Sequence, residues 1–81
     1  MRSRQILALF VHGRRVRARL TMAEAAKRAG VSAGQVGRAE SYRPIAPRAA
    51  ERLAAFAGLT ITEIEAAAAR APEFASGRAA A

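Results

Sequence analysis

The chain has 81 residues, a net charge of +8, one histidine and no cysteine. A chain of this length forms one domain with a small core, and association with a second copy is a natural way to bury more surface. Because it also lacks aspartate and has His12 as its only histidine, we expect no disulfide, thiolate chemistry or ordinary metal site. Paired carboxylates and a glycine-rich phosphate loop are missing too, so we expect no enzyme and no cofactor.

Positive charge is concentrated in the first part of the chain. Residues 1–48 hold eleven of the fourteen Arg and Lys against two Glu, whereas residues 49–81 hold three Arg against four Glu. Arginine, which provides thirteen of the fourteen cations, binds phosphate and guanine as a planar fork. A basic face of this kind favours a polyanion, because each neutralised phosphate releases condensed counterions. The alternative is that the positive charge only keeps the protein soluble and does not bind a polyanion.

A first helix is predicted over residues 3–18. Its predicted apolar stripe consists of Ile6, Leu9, Phe10, Val16 and then Leu20. The apolar run from Ile6 to Val11 is too short for a secretory signal or a membrane span, so we expect no membrane association. The alternative for this arginine-rich, acid-poor segment is a transit peptide.

Three segments open with the same capping box, in which a hydroxyl side chain and a Glu or Gln three residues later cap each other's backbone amides. The pairs are Thr21 with Glu24, Ser32 with Gln35, and Thr60 with Glu63. They predict a second helix over residues 22–29, a third over 33–41 and a fifth from residue 61 to about 70. Gly30 suits the left-handed conformation that ends the second helix.

A fourth helix is predicted between the third and the fifth. Pro47 fits its first turn, and it runs to Ala57 and stops at Gly58. No segment predicts a strand, so the fold class is all-α with a domain over residues 1–70. Residues 71–81, which hold five Ala and one each of Pro, Gly and Ser, predict a flexible tail. The predicted core consists of Leu9, Val16, Leu20, Ala26, Val31, Val36, Leu53, Phe56, Leu59 and Ile64.

Residues 21–40 place two short helices across a tight turn. The point where two such helices cross admits only a small side chain, which Ala26 provides. The turn needs a residue that tolerates positive φ, which Gly30 provides. The second helix needs an inward apolar anchor, which is Val36. The spacing therefore predicts a helix-turn-helix.

With TMAEAAKRAGVSAGQVGRAE at its centre, the chain from Leu9 to Ile64 resembles the lambda-repressor-like, Cro/CI or XRE family of helix-turn-helix proteins. The resemblance implies a compact five-helix domain that binds double-stranded DNA. In that family the third helix enters the major groove with its N-terminal residues and its outward face toward the bases. The corresponding base-reading residues here are Ala33, Gly34, Gln35, Gly37 and Arg38.

These positions imply different kinds of contact. Arg38 is the best candidate for a bidentate contact to guanine. Gln35 either contacts adenine or remains occupied in its capping box. Gly34 and Gly37 allow the helix backbone to approach DNA closely, at a cost of roughly 1 kcal/mol each in helix propensity. The alternative is that they are poorly optimised surface glycines.

Phosphate contacts are expected from helix N-termini and from the loop after the third helix. The candidates are Lys27, Ser32, Tyr42, Arg43 and Arg48. The resemblance also implies an ion pair between Arg15 and Glu40, which ties the recognition helix to the first helix. A solvated Glu40 is the alternative. His12 is expected to be exposed, without partners for metal or nucleophilic chemistry.

The resemblance places a dimer interface on the fifth helix, at Ile61, Ile64 and Ala68, although one of the isoleucines must serve the monomer core. The sequence also departs from the family. Met22 replaces a glutamine that commonly holds a phosphate, and Ala39 replaces a bulkier core residue. Ser41 and Tyr42 stand where a polar residue and then glycine are usual, so the third helix is expected to end or tilt differently.

Together these features predict a transcriptional regulator, either a repressor or a dual repressor and activator, that binds an inverted-repeat operator as a homodimer. The resemblance extends to phage-type and restriction-modification controller-like regulators, between which the sequence does not distinguish. We expect it in the cytoplasm, associated with the nucleoid. The alternative is an antitoxin-like or other protein-interaction module on the same fold. A third hypothesis is a non-specific nucleoid or RNA binder driven by charge.

Overall fold

The computed structural model describes residues 2–70. It contains five α-helices: α1 (Ser3–Arg17), α2 (Met22–Ala29), α3 (Ala33–Glu40), α4 (Pro47–Phe56) and α5 (Ile61–Arg70). No strand occurs in this range, so the predicted all-α fold is confirmed. The tail predicted over residues 71–81 lies outside the described residues. Between residues 2 and 70, none of the helices has the length and apolar character needed to cross a bilayer.

The three capping boxes form as the sequence predicts. The Thr21 hydroxyl accepts the Glu24 amide at 3.1 Å, and the Glu24 carboxylate accepts the Thr21 amide at 2.8 Å. Ser32 with Gln35 and Thr60 with Glu63 repeat this exchange at the start of α3 and α5. Each box satisfies backbone donors that a helix N-terminus leaves without intrahelical partners. These local signals place the helix starts.

Helices α1 to α4 all end with the same motif. A residue in the left-handed conformation follows the helix, and the next amide donates to the carbonyl five residues earlier. The left-handed residues are Arg19, Gly30, Tyr42 and Gly58, with φ of 58°, 79°, 63° and 84°. The sequence indicated only the two glycines. Arg19 and Tyr42 carry a Cβ that crowds the backbone in this conformation, at a cost of about 1 kcal/mol each.

The core lies where α1, α3, α4 and α5 meet. Its largest fully buried side chains are Val11, Val36, Leu53 and Ile64, one from each of these helices. Helix α1 packs against the other three, while α2 packs against α3 and α4. Four members of the predicted core, Ala26, Val36, Leu53 and Ile64, are buried. Val31, Phe56 and Leu59 are partly buried against it, and Leu20 is half-buried.

The predicted inward face of α1 is correct at Ile6, which is buried, but wrong at Leu9, Phe10 and Val16. Leu9 is 55% exposed and Val16 is 52% exposed, although the sequence pattern predicts both in the core. The side chains that α1 buries are Ile6, Leu7, Ala8 and Val11. Helix α1 has apolar residues on two faces, so hydrophobic periodicity alone does not distinguish the inward face from the outward one.

Two identical substitutions on α1 test this orientation. Val11→Ala removes two buried methyl groups from a fully buried site, so it should lower the free energy of unfolding by about 2 kcal/mol. Val16→Ala, at a half-exposed site on the same helix, should change it by less than about 0.5 kcal/mol. Urea denaturation followed by circular dichroism measures both. Equal losses in the two variants would contradict the observed orientation of α1.

Candidate DNA-binding surface

The turn between α2 and α3 is held from three sides. Ala26 is buried at the helix crossing, and Val36 anchors α3 in the core with no exposed surface. Gly30 adopts the left-handed conformation that the turn requires. Arg52 of α4 donates to the Gly30 carbonyl at 3.0 Å, a contact that no sequence signal indicated. The helix-turn-helix unit is therefore braced by α4 as well as by its own packing.

The C-terminal end of α3 is fixed to α1 by a two-pronged ion pair. Arg15 donates through Nε to Glu40 Oε2 at 2.7 Å and through Nη2 to Glu40 Oε1 at 3.0 Å. Its third nitrogen, Nη1, donates to the Leu20 carbonyl at 3.0 Å. The Glu40 side chain is 7% exposed and that of Arg15 is 16% exposed. One guanidinium thus joins α1, the loop after it and the last residue of the recognition helix.

His12 is exposed, as expected, but it also takes part in the same cluster. Its Nδ1 lies 3.0 Å from Glu40 Oε1, although the imidazole is 58% exposed. One turn separates His12 from Arg15 on α1, so both side chains reach the same carboxylate. The i, i+3 spacing of these residues is the only sequence feature that points to this contact.

The electrostatics of the cluster keep Glu40 ionised. Burial of the Glu40 carboxylate acts to raise its pKa and is the largest single effect. The hydrogen bonds from Arg15 and His12, together with the coulombic attraction of both groups, outweigh it, so the pKa of Glu40 lies below its ordinary value. The same hydrogen bond from Arg15 to Glu40 raises the pKa of Arg15. Both partners therefore remain charged at neutral pH.

The outward face of α3 forms the floor of an open concavity of about 570 Å³. Its lining residues are Met22, Gly34, Gly37, Arg38, Ser41 and Arg43. Three of the predicted base-reading residues, Gly34, Gly37 and Arg38, thus meet there with Arg43, a predicted phosphate ligand. Met22, at the start of α2, forms one wall of the concavity in place of the polar side chain that the resemblance implied.

Neither glycine of α3 is required by the protein's own packing. A Cβ on Gly34 would come no closer than 3.8 Å to Ser32 and 3.9 Å to Arg38. A Cβ on Gly37 would lie 3.7 Å from the Met22 sulfur. These are ordinary van der Waals distances, and neither residue has a positive φ. Glycine lowers helix stability here without a compensating contact inside the chain, which favours a role in close approach to another molecule.

The other predicted base-reading positions lie at the start of α3. Ala33 is exposed, and its methyl group is open to a partner. The Gln35 side-chain oxygen accepts the Ser32 amide at 2.9 Å, so of the two alternatives for Gln35 the capping role is the one that the structure displays. The Ser32 hydroxyl oxygen accepts the Gln35 amide at 3.1 Å, which leaves the Ser32 hydroxyl hydrogen free to donate.

The remaining predicted phosphate ligands lie around α3. Lys27, Tyr42, Arg43 and Arg48 are all exposed. Tyr42 is 53% exposed and takes the left-handed position that ends α3, where the resemblance implies glycine. Helix α3 ends at Glu40, one residue before its predicted end. The end of α3 therefore differs from the family pattern at Tyr42. This exposed tyrosine occupies a left-handed position that glycine would occupy at a lower conformational cost.

The predicted dimer residues on α5 face the core of the monomer. Ile64 is 2% exposed, so it belongs to the monomer core and we correct its assignment to the interface. Ile61 and Ala68 are partly buried and pack against that core. The sequence predicted that one of the two isoleucines on α5 serves the monomer core, and the buried one is Ile64.

The fold and this surface define a helix-turn-helix protein: two short helices at a glycine turn, with the second presenting an open face. Residues 6–68 match the family model described as a helix-turn-helix domain. The chain belongs to this family, and it is a helix-turn-helix DNA-binding protein. No curated protein and no solved structure gives a significant match to the chain.

A pair of glycine substitutions tests the role of the open face. Gly34→Ala should raise the free energy of unfolding by up to about 1 kcal/mol, because alanine favours the helix. It should also weaken DNA binding at least tenfold, about 1.4 kcal/mol, because the methyl group holds the backbone away from the bases. Thermal unfolding and fluorescence anisotropy with labelled duplex measure the two effects.

Gly13→Ala is the matched control for Gly34→Ala. Gly13 lies inside α1, and a methyl group added there would meet no neighbouring atom within 4 Å, so alanine should stabilise the helix there as well. The DNA affinity of this variant should equal that of the unmodified protein. If the Gly34→Ala variant binds DNA as tightly as the Gly13→Ala variant, the α3 backbone does not approach DNA closely at Gly34.

The lowered pKa of Glu40 predicts a pH-dependent contribution to stability. A carboxylate whose folded pKa is depressed stabilises the fold above its ordinary pKa of 4.5, and this is lost as pH falls through the folded value. Glu40→Gln should lower the free energy of unfolding by about 2 kcal/mol at pH 7. The difference between Glu40→Gln and the unmodified protein should shrink as the pH is lowered to about 3.

Urea unfolding at several pH values measures this difference. Glu51→Gln, at an exposed site on α4, is the matched control and should follow the unmodified protein at every pH. A difference between Glu40→Gln and the unmodified protein that does not change with pH would show that the charge of Glu40 does not contribute.

Proposed function

We propose that this protein is a sequence-specific transcriptional regulator that binds an inverted-repeat operator as a homodimer. The observation that carries the proposal is the concavity on α3, where two glycines that the fold does not require lie beside Arg38 and Arg43. Arginine is the side chain best suited to bidentate recognition of guanine, and an exposed glycine backbone permits close approach to base edges. We assign base contacts to Arg38 and phosphate contacts to Arg43.

The homodimer part of the proposal rests on the geometry of DNA. One eight-residue recognition helix covers only a few base pairs, and two copies on a two-fold axis reach major grooves about 34 Å apart. The partly buried Ile61 and Ala68, with the exposed residues between them on α5, remain our candidates for the contact between copies. The repressor or dual role then depends on where the operator lies relative to a promoter.

Selection from random duplexes tests the proposal. The full chain is used at about 150 mM salt, where charge-driven binding is screened, and the stoichiometry of the bound species is determined by light scattering. We expect enrichment of a two-fold symmetric site that binds two copies. Retention of DNA without enrichment would replace the proposal with non-specific, charge-driven binding.

Two arginine substitutions then separate base contact from phosphate contact on the selected site. Arg38→Ala should cost about 1 to 3 kcal/mol in binding and relax the preference at one base pair of each half-site. Arg43→Ala should weaken binding by a similar factor on all sequences and reduce the salt dependence. Anisotropy titrations with single-base-pair variants of the site measure both. Equal effects of the two substitutions on every sequence would refute the assignment of Arg38.

A protein-interaction module of the antitoxin kind is the second candidate function. It is favoured by one observation: Leu9, Phe10 and Val16 on α1 are each about half exposed, at 55%, 49% and 52%. Apolar side chains clustered on one exposed face commonly mark an interaction surface. The two functions are compatible, because none of these three side chains lines the concavity of α3.

A further inference from the structure

A second groove lies between α1 and the end of α4, with a volume of about 470 Å³. We call it the α1–α4 groove, and its lining residues are Phe10, Arg14, Arg17, Ala55, Phe56, Ala57 and Gly58. Phe10, Arg14 and Arg17 follow one another at i, i+4 and i+7, so they share one face of α1. The groove thus combines two aromatic rings with two guanidinium groups, and no residue of the DNA-binding concavity contributes to it.

The charge of this groove is uncompensated within the described chain. Residues 2–20 contain six arginines and no acidic residue. Arg15 pairs with Glu40, but neither Arg14 nor Arg17 pairs with a carboxylate in residues 2–70. The capping boxes occupy Glu24 and Glu63. The arginines of the groove are therefore available to carboxylates from another molecule.

Apolar surface continues beside the groove. Phe10 is 49% exposed, and the neighbouring stripe of α1 carries Leu9 and Val16 with Gly13 between them. A Cβ at Gly13 would meet no atom within 4 Å, so the surface is open at its middle. Interfaces are enriched in aromatic residues and arginine, which together supply large apolar area and directed hydrogen bonds. This surface has both.

We propose that the α1–α4 groove docks an acidic amphipathic helix of a partner protein. Carboxylates of that helix bind Arg14 and Arg17, and its aliphatic side chains cover Phe10 and the adjoining stripe of α1. Charge complementarity selects this occupant. A second copy would bring the four arginines of one α1 against those of the other, and like charges at close range oppose association. DNA phosphates would satisfy the arginines but leave Leu9, Phe10 and Val16 exposed.

A synthetic peptide of about 18 residues is the probe, with Leu at i, i+3, i+4 and i+7 and with Glu and Ala elsewhere. Titration into the ¹⁵N-labelled full chain should shift amide signals of α1 and of the end of α4. A scrambled peptide of the same composition, which has no apolar face, should bind at least tenfold more weakly. If the scrambled peptide binds equally well, or if neither peptide binds, the proposal is overturned.

Two matched pairs of substitutions locate the site. Arg17→Glu should weaken peptide binding at least tenfold, whereas Arg28→Glu, which changes the net charge equally in the last turn of α2, should change it less than twofold. Phe10→Ser should also weaken binding at least tenfold, whereas Met22→Ser, at another exposed apolar residue, should not. Circular dichroism confirms that each variant is folded. Equal effects within either pair would overturn the proposal.

Two further measurements distinguish the other occupants. If a random-sequence duplex produces the same amide shifts in the groove and displaces the peptide, the groove is a DNA contact and the proposal is wrong. If the free protein is a dimer that Phe10→Ser converts to a monomer, the occupant is a second copy, which also overturns it. We expect Phe10→Ser to retain the DNA affinity of the unmodified protein. The result for the groove is therefore independent of the result for the operator.

Discussion

The ion pair between Arg15 and Glu40 is the interaction on which the rest of the structure depends. It is largely buried, and its three hydrogen bonds connect α1, the loop that follows it and the end of α3. Leu7, Val11 and Arg15 lie four residues apart, so the position of Arg15 also determines which face of α1 turns inward. A buried pair of this kind is costly to break, because the remaining charge would lose its partner without regaining water.

Helix α3, the proposed recognition helix, needs this support because it is short. Helix α3 has eight residues, two of them glycine, and a helix of that length and composition is not stable alone in water. Its position is set at the start by the Ser32 capping box, in the middle by Val36 and at the end by Glu40. The outward face of α3 is therefore not needed to hold the helix in place. It can carry glycines and Arg38, which are suited to contact with another molecule.

The sequence predicted the elements that depend on local chemistry. The capping boxes and the glycines at positions 30 and 58 placed the helices to within one residue of their observed ends. The all-α fold and the helix-turn-helix followed from these local signals. The concavity on α3 was predicted in part, through Gly34, Gly37 and Arg38, but the wall formed by Met22 depends on how α2 packs against α3.

What the sequence did not predict depends on contacts between distant residues. The sequence pattern places Leu9 and Val16 in the core because α1 has apolar residues on two faces, and packing against α3, α4 and α5 buries the other one. Tyr42 and Arg19 adopt a conformation that their side chains disfavour, and in each case the next amide donates to the carbonyl five residues earlier and closes the helix end. The contact of His12 with Glu40 and that of Arg52 with Gly30 likewise exist only once the helices have assembled.

We propose that the glycine-lined face of α3 is the surface that meets the bases. The most direct measurement is the amide spectrum of the ¹⁵N-labelled protein with and without its selected duplex. We expect the largest shifts at Gly34, Gly37 and Arg38, with small shifts at Phe10 and Phe56. Large shifts confined to the arginines of α1, with the amides of α3 unchanged, would contradict this role for α3.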